Sequence, residues 1–371
     1  MVVDLGRMNR RNLLRAGAGT ALAAYGLAGC TVERPIDKSG AAQVIVPKVD
    51  GDLLIFNWAQ YMDPALQSGF EDKYGVSVTE ANFDSMEAML TKLRSGAQFD
   101  LTFPTSEYVM RLRQEGLLHE FDRHLLSNAK GIDPYFDDPW YDPGSRYSVP
   151  YAMYTTGICW RSDIVTGMTG SWNDITNPTA EGRAFMLDDF QEAIGQANLL
   201  NGFDLNTEDP SQLAVSKQTL LDQKGSLRGY STNTIQTLTS GLAVLQQAWN
   251  GDIVNVRNQV DDPDIFKFET CKEGIPVGSD TMAVPVNARS PGTALLFINW
   301  ILQPEHAAQN VAWTGYPQPV EGAKQEFTKL VKAEPSIDIT LQTLKNGDEY
   351  RFATPEGRQE WNQIWTEVKA S

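Results

Sequence analysis

Cysteine and histidine are scarce in this chain. Its 371 residues hold three cysteines, Cys30, Cys159 and Cys271, and three histidines, His119, His124 and His306. No pair among them has zinc-site spacing, so no metal is expected. Two cysteines beyond Cys30 are too few for a disulfide framework, and spacing leaves open whether Cys159 and Cys271 pair. Base is short relative to acid: 31 Lys and Arg stand against 47 Asp and Glu, a net charge of −16. Four arginines precede Cys30 against Asp4 alone, so the remainder stands near −19. Nucleic-acid binding depends on Lys and Arg that neutralise phosphates, so a nucleic-acid partner is excluded. The acidity is compatible with a cationic ligand, but solubility explains it equally well. Also missing are a Gly-rich phosphate loop ending in Gly-Lys-Ser/Thr and a Gly-x-Ser-x-Gly elbow. No cofactor and no catalytic residue is therefore expected. Beyond Cys30 no apolar run approaches the roughly 20 residues needed to cross a bilayer.

The first thirty residues carry basic, apolar and small-residue segments in that order, the pattern of an export signal. Arg10-Arg11-Asn12-Leu13-Leu14 is a twin-arginine start, and Ala16 to Gly26 is the short apolar stretch. Leu27-Ala28-Gly29-Cys30 resembles a bacterial lipobox, which implies lipidation at Cys30. Residues 1–30 are thus expected to be an export signal and 31–50 a polar tether. The expected location is outside the cytoplasm, either lipid-anchored on the outer face of the cytoplasmic membrane or periplasmic.

The fold is expected to begin at the apolar strand Leu53-Leu54-Ile55-Phe56. Asp63 reads as an N-cap with Pro64 in the first helical turn, and Gly75 as the stop. Val76 to Thr79 reads as the next strand. Asp84 and Glu87 are close to a capping box, followed by a Met86, Met89, Leu90, Leu93 stripe and Gly96. A third strand, Asp100 to Phe103, precedes a helix from Ser106 to about Glu115. This alternation predicts an α/β fold with a parallel sheet, whose ligands sit beyond the carboxyl ends of strands. Further on, a strand is expected at Thr156–Trp160, and helices around Gln191–Leu200, Ser211–Leu221 and Thr234–Trp249. A returning strand is expected at Met282–Pro285, an apolar helix at Thr293–Leu302, and a last helix from Thr354-Pro355.

Seven segments in order resemble the spermidine/putrescine-type polyamine-binding proteins of ABC importers. They are Asn57-Trp58-Ala59-Gln60-Tyr61, Asp100-Leu101-Thr102-Phe103-Pro104-Thr105, Ser148-Val149-Pro150-Tyr151, Asp188-Asp189-x-x-Glu192, Trp249-Asn250-Gly251, Asp280-x-Met282-Ala283-x-Pro285 and Gly315-Tyr316-Pro317. The resemblance implies a two-lobed periplasmic-binding-protein fold with the ligand cleft between lobes. The expected lobes are 51–153 with 284–316, and 154–283 with 317–371. It implies aromatic contacts from Trp58, Tyr61, Trp249 and Tyr316, acids at Asp189, Glu192 and Asp280, and a polar contact at Thr105. Its expected partners are a small cationic ligand, a polyamine, and a membrane permease. Three positions depart from the family. Ala59 stands where a hydroxyl is frequent, Gly278 where a tryptophan is common, and Glu107 where a tyrosine is common. Glu107 is carried as a further ligand acid, with a helix-dipole role equally open.

Other readings remain open on the residues alone. Asp189-x-x-Glu192 also fits a capping box, and Trp58 and Trp249 also suit a core. A different amine, an amino acid or a sugar would also meet rings and acids. A carboxylate glycosidase is a third class. It needs acids flanking the scissile bond, whereas Asp189 and Glu192 sit one turn apart on one helix side.

Overall fold

The computed structural model describes residues 45–339, 341–351 and 354–371. The expected export signal, with Cys30, and residues 31–44 of the expected tether lie outside the described residues. Residues 45–50 are largely exposed but tied to the fold at both ends, unlike a free tether. Ile45 is buried and bridges Phe121, and the Asp50 carboxylate accepts from the Gly292 and Thr293 amides at 3.0 and 2.9 Å.

Strand β1 (Leu53–Trp58) leads to helix α1 (Pro64–Tyr74). Asp63 caps it by accepting from the Ala65 amide, and Gly75 ends it at φ 67°. Strand β2 (Val78–Phe83) starts two residues later than the sequence pattern suggests and pairs in parallel with β1. Helix α2 (Met86–Arg94) is capped by Ser85, whose hydroxyl accepts from the Ala88 amide. The capping box at Asp84 and Glu87 does not form. Glu87 instead accepts from Tyr108 and Arg111. Those partners lie on α3 (Ser106–Gln114), which follows β3 (Leu101–Thr102). Side chains along β1 alternate between two cores. Ile55 joins Phe70 of α1, whereas Phe56 joins Met89 of α2 and Leu112 of α3. This period of two places helices on both faces of the sheet.

Two expected segments, Ser148–Tyr151 and Thr156–Trp160, are one 14-residue strand, β4 (Ser148–Arg161). Then follow β5 (Ala184–Met186), α4 (Phe190–Leu200), α5 (Pro210–Lys224) and β6 (Leu227–Tyr230). The helix expected over Thr234–Trp249 is not observed. Helix α6 (Thr234–Thr239) stops before Gly241, at φ 72°, and the chain re-forms as strand β7 (Leu245–Trp249). Buried Gln246 and Gln247 disguise this strand. Their side chains bond internally, Gln246 with Thr237 and Gln247 with the Glu192 carbonyl, so polar residues sit in a fully covered strand.

Helix α7 (Asn250–Asn258), β8 (Phe266–Glu269) and β9 (Pro276–Ala283) follow. The remainder comprises α8 (Pro291–Ile301), α9 (Pro304–Thr314), α10 (Glu321–Ala333), α11 (Leu341–Asn346), β10 (Asp348–Glu349) and α12 (Pro355–Ala370). Thr354 caps α12, which buries Trp361, Ile364, Trp365 and Val368 on the expected face.

Among the described residues the strands join in the order β2-β1-β3-β9-β4-β7-β5-β6, with β10 beside β9 and β8 beside β4. Two parallel arrays, β1–β3 and β5–β7, are joined by the antiparallel pair β4 and β9. The first half of β4 pairs with β9, and its second half with β7 and β8. The carboxyl ends of β1, β3, β5 and β7 thus meet around the centre of β4 and β9. Cys159 and Cys271 are both free and buried, which closes the question of a bridge between them.

Candidate functional site

The strand ends enclose a cavity of about 450 Å³. Trp58 stands at the end of β1, packed edge-on against Phe83 at 4.7 Å between centroids. Trp249 stands at the end of β7, its ring centroid 6.0 Å from that of Trp58. Gln60, in the turn between Trp58 and Tyr61, lines the cavity at φ 56°, a left-handed conformation that costs energy in a non-glycine residue.

Tyr61 is buried, and its hydroxyl donates to Oδ2 of Asp280. Asp280 lies in the middle of β9, and its Oδ1 is buried without a hydrogen-bond partner among the described residues. Burial pushes its pKa up to about 7, against the opposing effect of the Tyr61 hydroxyl. Tyr316 packs edge-on to Tyr61 at 5.1 Å and donates to Asp252 Oδ1 at 2.7 Å. Asp252, in the first turn of α7, is a site residue that the sequence reading missed. Burial raises its pKa to about 6. The ring of Tyr316 lies directly on Gly251, where a Cβ would stand 2.3 Å from it. That contact explains the glycine in Trp249-Asn250-Gly251.

Asp189 is the N-cap of α4, accepting from the Gln191 and Glu192 amides at 2.8 and 3.1 Å. Only half of a capping box forms, because Glu192 turns into the cavity. Its Oε1 accepts from Trp249 Nε1 at 2.9 Å and Thr156 at 3.0 Å, and its Oε2 from Tyr350 at 3.0 Å. Burial lifts Asp189 to about 6. Burial and then the Asp189 charge lift Glu192 to about 7. Tyr350 also escaped the sequence reading. It lies 158 residues from Glu192 in sequence, and no local pattern marks it.

Thr105 lines the cavity beside Asp280, to which its backbone forms an isolated antiparallel bridge. Glu107 is not in the cavity wall. It is buried behind Thr105, accepting from the Thr105 hydroxyl at 2.8 Å, and burial pushes it up to about 8. Its carboxyl acts on the site through Thr105. Of the nine expected contacts, eight therefore line one cavity, and Glu107 stands behind it.

The electrostatics of this cavity are one-sided. Glu192, Asp252 and Asp280 are buried in its wall, Asp189 is half-buried and Asp84 exposed there, and no Lys, Arg or His is among its lining residues. Buried carboxylates without a cation carry a desolvation cost, seen here as raised pKa values. A ligand with ammonium groups supplies the missing charge. Rings interleaved with the acids suit its methylenes and, by cation–π attraction, its charged ends.

The sequence profile described as bacterial extracellular solute-binding protein matches residues 65–338. The chain belongs to this family. It is 30% identical over 304 residues to the spermidine/putrescine-binding periplasmic protein of Salmonella typhimurium, covering 81% of this chain and 86% of that one. It is 25% identical over 343 residues to a putrescine/cadaverine-binding protein of Pseudomonas aeruginosa, covering 89% and 96%. Among solved structures, the TpPotD lipoprotein of Treponema pallidum superposes with a TM-score of 0.75 at 24% identity, over 86% of this chain and 99% of that one. The fold of this solute-binding protein is thus the periplasmic-binding-protein fold, as the sequence resemblance implied. No helix among the described residues is long and apolar enough to cross a membrane.

Proposed function

We propose that the protein is a non-enzymatic receptor that captures a linear polyamine of the putrescine or spermidine type and hands it to an ABC permease. The observation that carries this reading is the cavity wall: five acids, three of them buried, seven aromatic rings and no basic side chain. Its relatives named for polyamines support the same assignment. A sugar would stack on the same rings, but a neutral ligand would leave these acids without a counter-charge. A thermal-shift screen with putrescine, spermidine, spermine, amino acids and sugars tests the reading. A ligand present at about 100 times its dissociation constant stabilises by about 2.7 kcal/mol. Stabilisation by amines and not by sugars is the expected result, and the reverse pattern overturns it.

The proposed lobes are 51–153 with 284–316, and 154–283 with 317–371, moving about β4 and β9, the antiparallel pair that joins the two arrays. Small-angle scattering should then show a smaller radius of gyration with saturating spermidine. An unchanged radius would count against closure.

The proposed location is outside the cytoplasm, with export by the twin arginines and a lipid anchor at Cys30. Replacing Cys30 with serine should move the protein from the membrane fraction to the soluble one. Cytoplasmic wild-type protein that keeps its first residues would refute the anchor.

A further inference from the structure

Position 278 offers no side chain to a cavity whose walls are otherwise rich in rings. The neighbouring strand explains why. In the antiparallel pairing of β4 and β9, Tyr154 lies opposite Gly278, and Ala152 opposite Asp280. Residues two apart on a strand share a face, so the Tyr154 ring and the Asp280 carboxylate are diagonal neighbours on one sheet face. A Cβ on Gly278 would stand 2.4 Å from both Cζ and the hydroxyl oxygen of Tyr154. The ring therefore lies directly on the glycine, and the two residues are one structural choice. A large residue on β4 requires a glycine on β9.

Tyr154 lines the cavity, and its hydroxyl forms no hydrogen bond to another described residue. Oδ1 of Asp280 is likewise buried and unpartnered among the described residues. A phenol oxygen and a carboxylate oxygen thus stand on one wall with nothing bonded to them. Together they suit a single charged nitrogen. The carboxylate supplies the charge, the phenol a second acceptor, and the flat ring a surface for the adjoining methylenes.

We propose that Tyr154 is the residue that sets which length of amine the cavity accepts, taking over from β4 the ring contact that Gly278 omits. The inference rests on the amine-receptor reading above. Short diamines depend most on this wall, because with only two nitrogens and four or five methylenes the contacts close to Asp280 are a larger share of all they make. Longer amines carry further nitrogens that can engage Asp189 and Glu192, so they tolerate its loss better.

The test is calorimetric titration of putrescine, cadaverine, spermidine and spermine into four proteins: the unmodified chain, Tyr154→Phe, Tyr154→Ala, and Tyr154→Ala combined with Gly278→Trp. Melting temperatures and circular dichroism establish that each variant is folded. Tyr154→Ala should weaken putrescine by about tenfold, the scale of one ring–ammonium contact, and spermine by much less. Tyr154→Phe should keep the length ranking while binding all four amines more weakly. The double variant, which restores a ring from the other strand, should recover most of the putrescine affinity. If the unmodified protein binds none of these amines, the receptor reading falls and this inference falls with it. If it binds them, and Tyr154→Ala leaves the four affinities unchanged or lowers them in equal proportion, only this inference is overturned.

Discussion

Asp280→Asn is expected to weaken putrescine and spermidine binding by about thirtyfold or more. Removing one partner of a buried, hydrogen-bonded charge pair costs about 2–5 kcal/mol, and each 1.4 kcal/mol is about tenfold in affinity. The substitution keeps the shape of the side chain. The asparagine carbonyl can still accept from the Tyr61 hydroxyl, which now bonds Oδ2 of Asp280. What disappears is the charge behind the unpartnered Oδ1. Melting temperature should therefore change little or rise, since a buried acid without a cation is itself costly. Trp249→Ala should also weaken binding, but with less change in its salt dependence, because it removes a ring and not a charge. That substitution has a second effect through Glu192, which loses the indole donor at 2.9 Å. Wild-type affinity in both Asp280→Asn and Asp189→Asn would eliminate the site.

The ligand-free protein is expected to lose stability as pH rises from about 4 to 7, and an amine is expected to reverse that trend. Asp280 and Glu192 titrate at about 7, and Asp189 and Asp252 at about 6. Ordinary carboxylates titrate at about 3.9–4.3. Across that window the folded state binds more protons than the unfolded state, so raising the pH favours unfolding. The stabilising contribution of these four acids is complete below their unfolded values and is lost as pH passes through 6 to 7. A bound ammonium favours the ionised form of each acid. Binding should therefore tighten as pH rises through 6 and 7, and should release protons near pH 6. The measurement is the melting temperature at about pH 5 and pH 7.5, with and without spermidine. The ligand-induced increment should be larger at the higher pH, and the contrast should shrink in Glu192→Gln. An increment independent of pH would mean that these carboxylates do not meet the ligand.

Much of this site is legible in the sequence, because it sits where local rules operate. Trp58 follows an unbroken apolar strand, and Asp63, Pro64 and Gly75 mark the helix behind it by capping chemistry alone. Asp189 and Glu192 are visible as a helix start. What local rules cannot show is the direction of a side chain set by a distant partner. Glu192 leaves its capping role because Trp249, Thr156 and Tyr350 converge on it from three other segments. Glu107 reads as a possible ligand acid, but the Thr105 hydroxyl holds it one layer back. Asp252 lies one residue beyond the Trp249-Asn250-Gly251 motif, and only the seat of Tyr316 on that glycine brings the aspartate into the wall. Strand β7 reads as helix because its glutamines look solvent-facing, whereas in the fold Gln246 bonds Thr237 and Gln247 the Glu192 carbonyl out of sight of solvent. Tyr154 follows the same logic. Its place over Gly278 depends on strand register, which the residue pattern of either strand alone does not specify.

The central claim is that the ligand supplies the positive charge that the cavity wall lacks. The most direct test is calorimetric titration of spermidine into the purified protein at low and high salt, in two buffers of different ionisation enthalpy. The predicted result is saturable binding at one site that weakens as salt is raised, with protons released near pH 6, read as observed heats that differ between the two buffers in proportion to their ionisation enthalpies. Binding that is indifferent to salt and releases no protons, or saturable binding of a neutral sugar with none of spermidine, would contradict it.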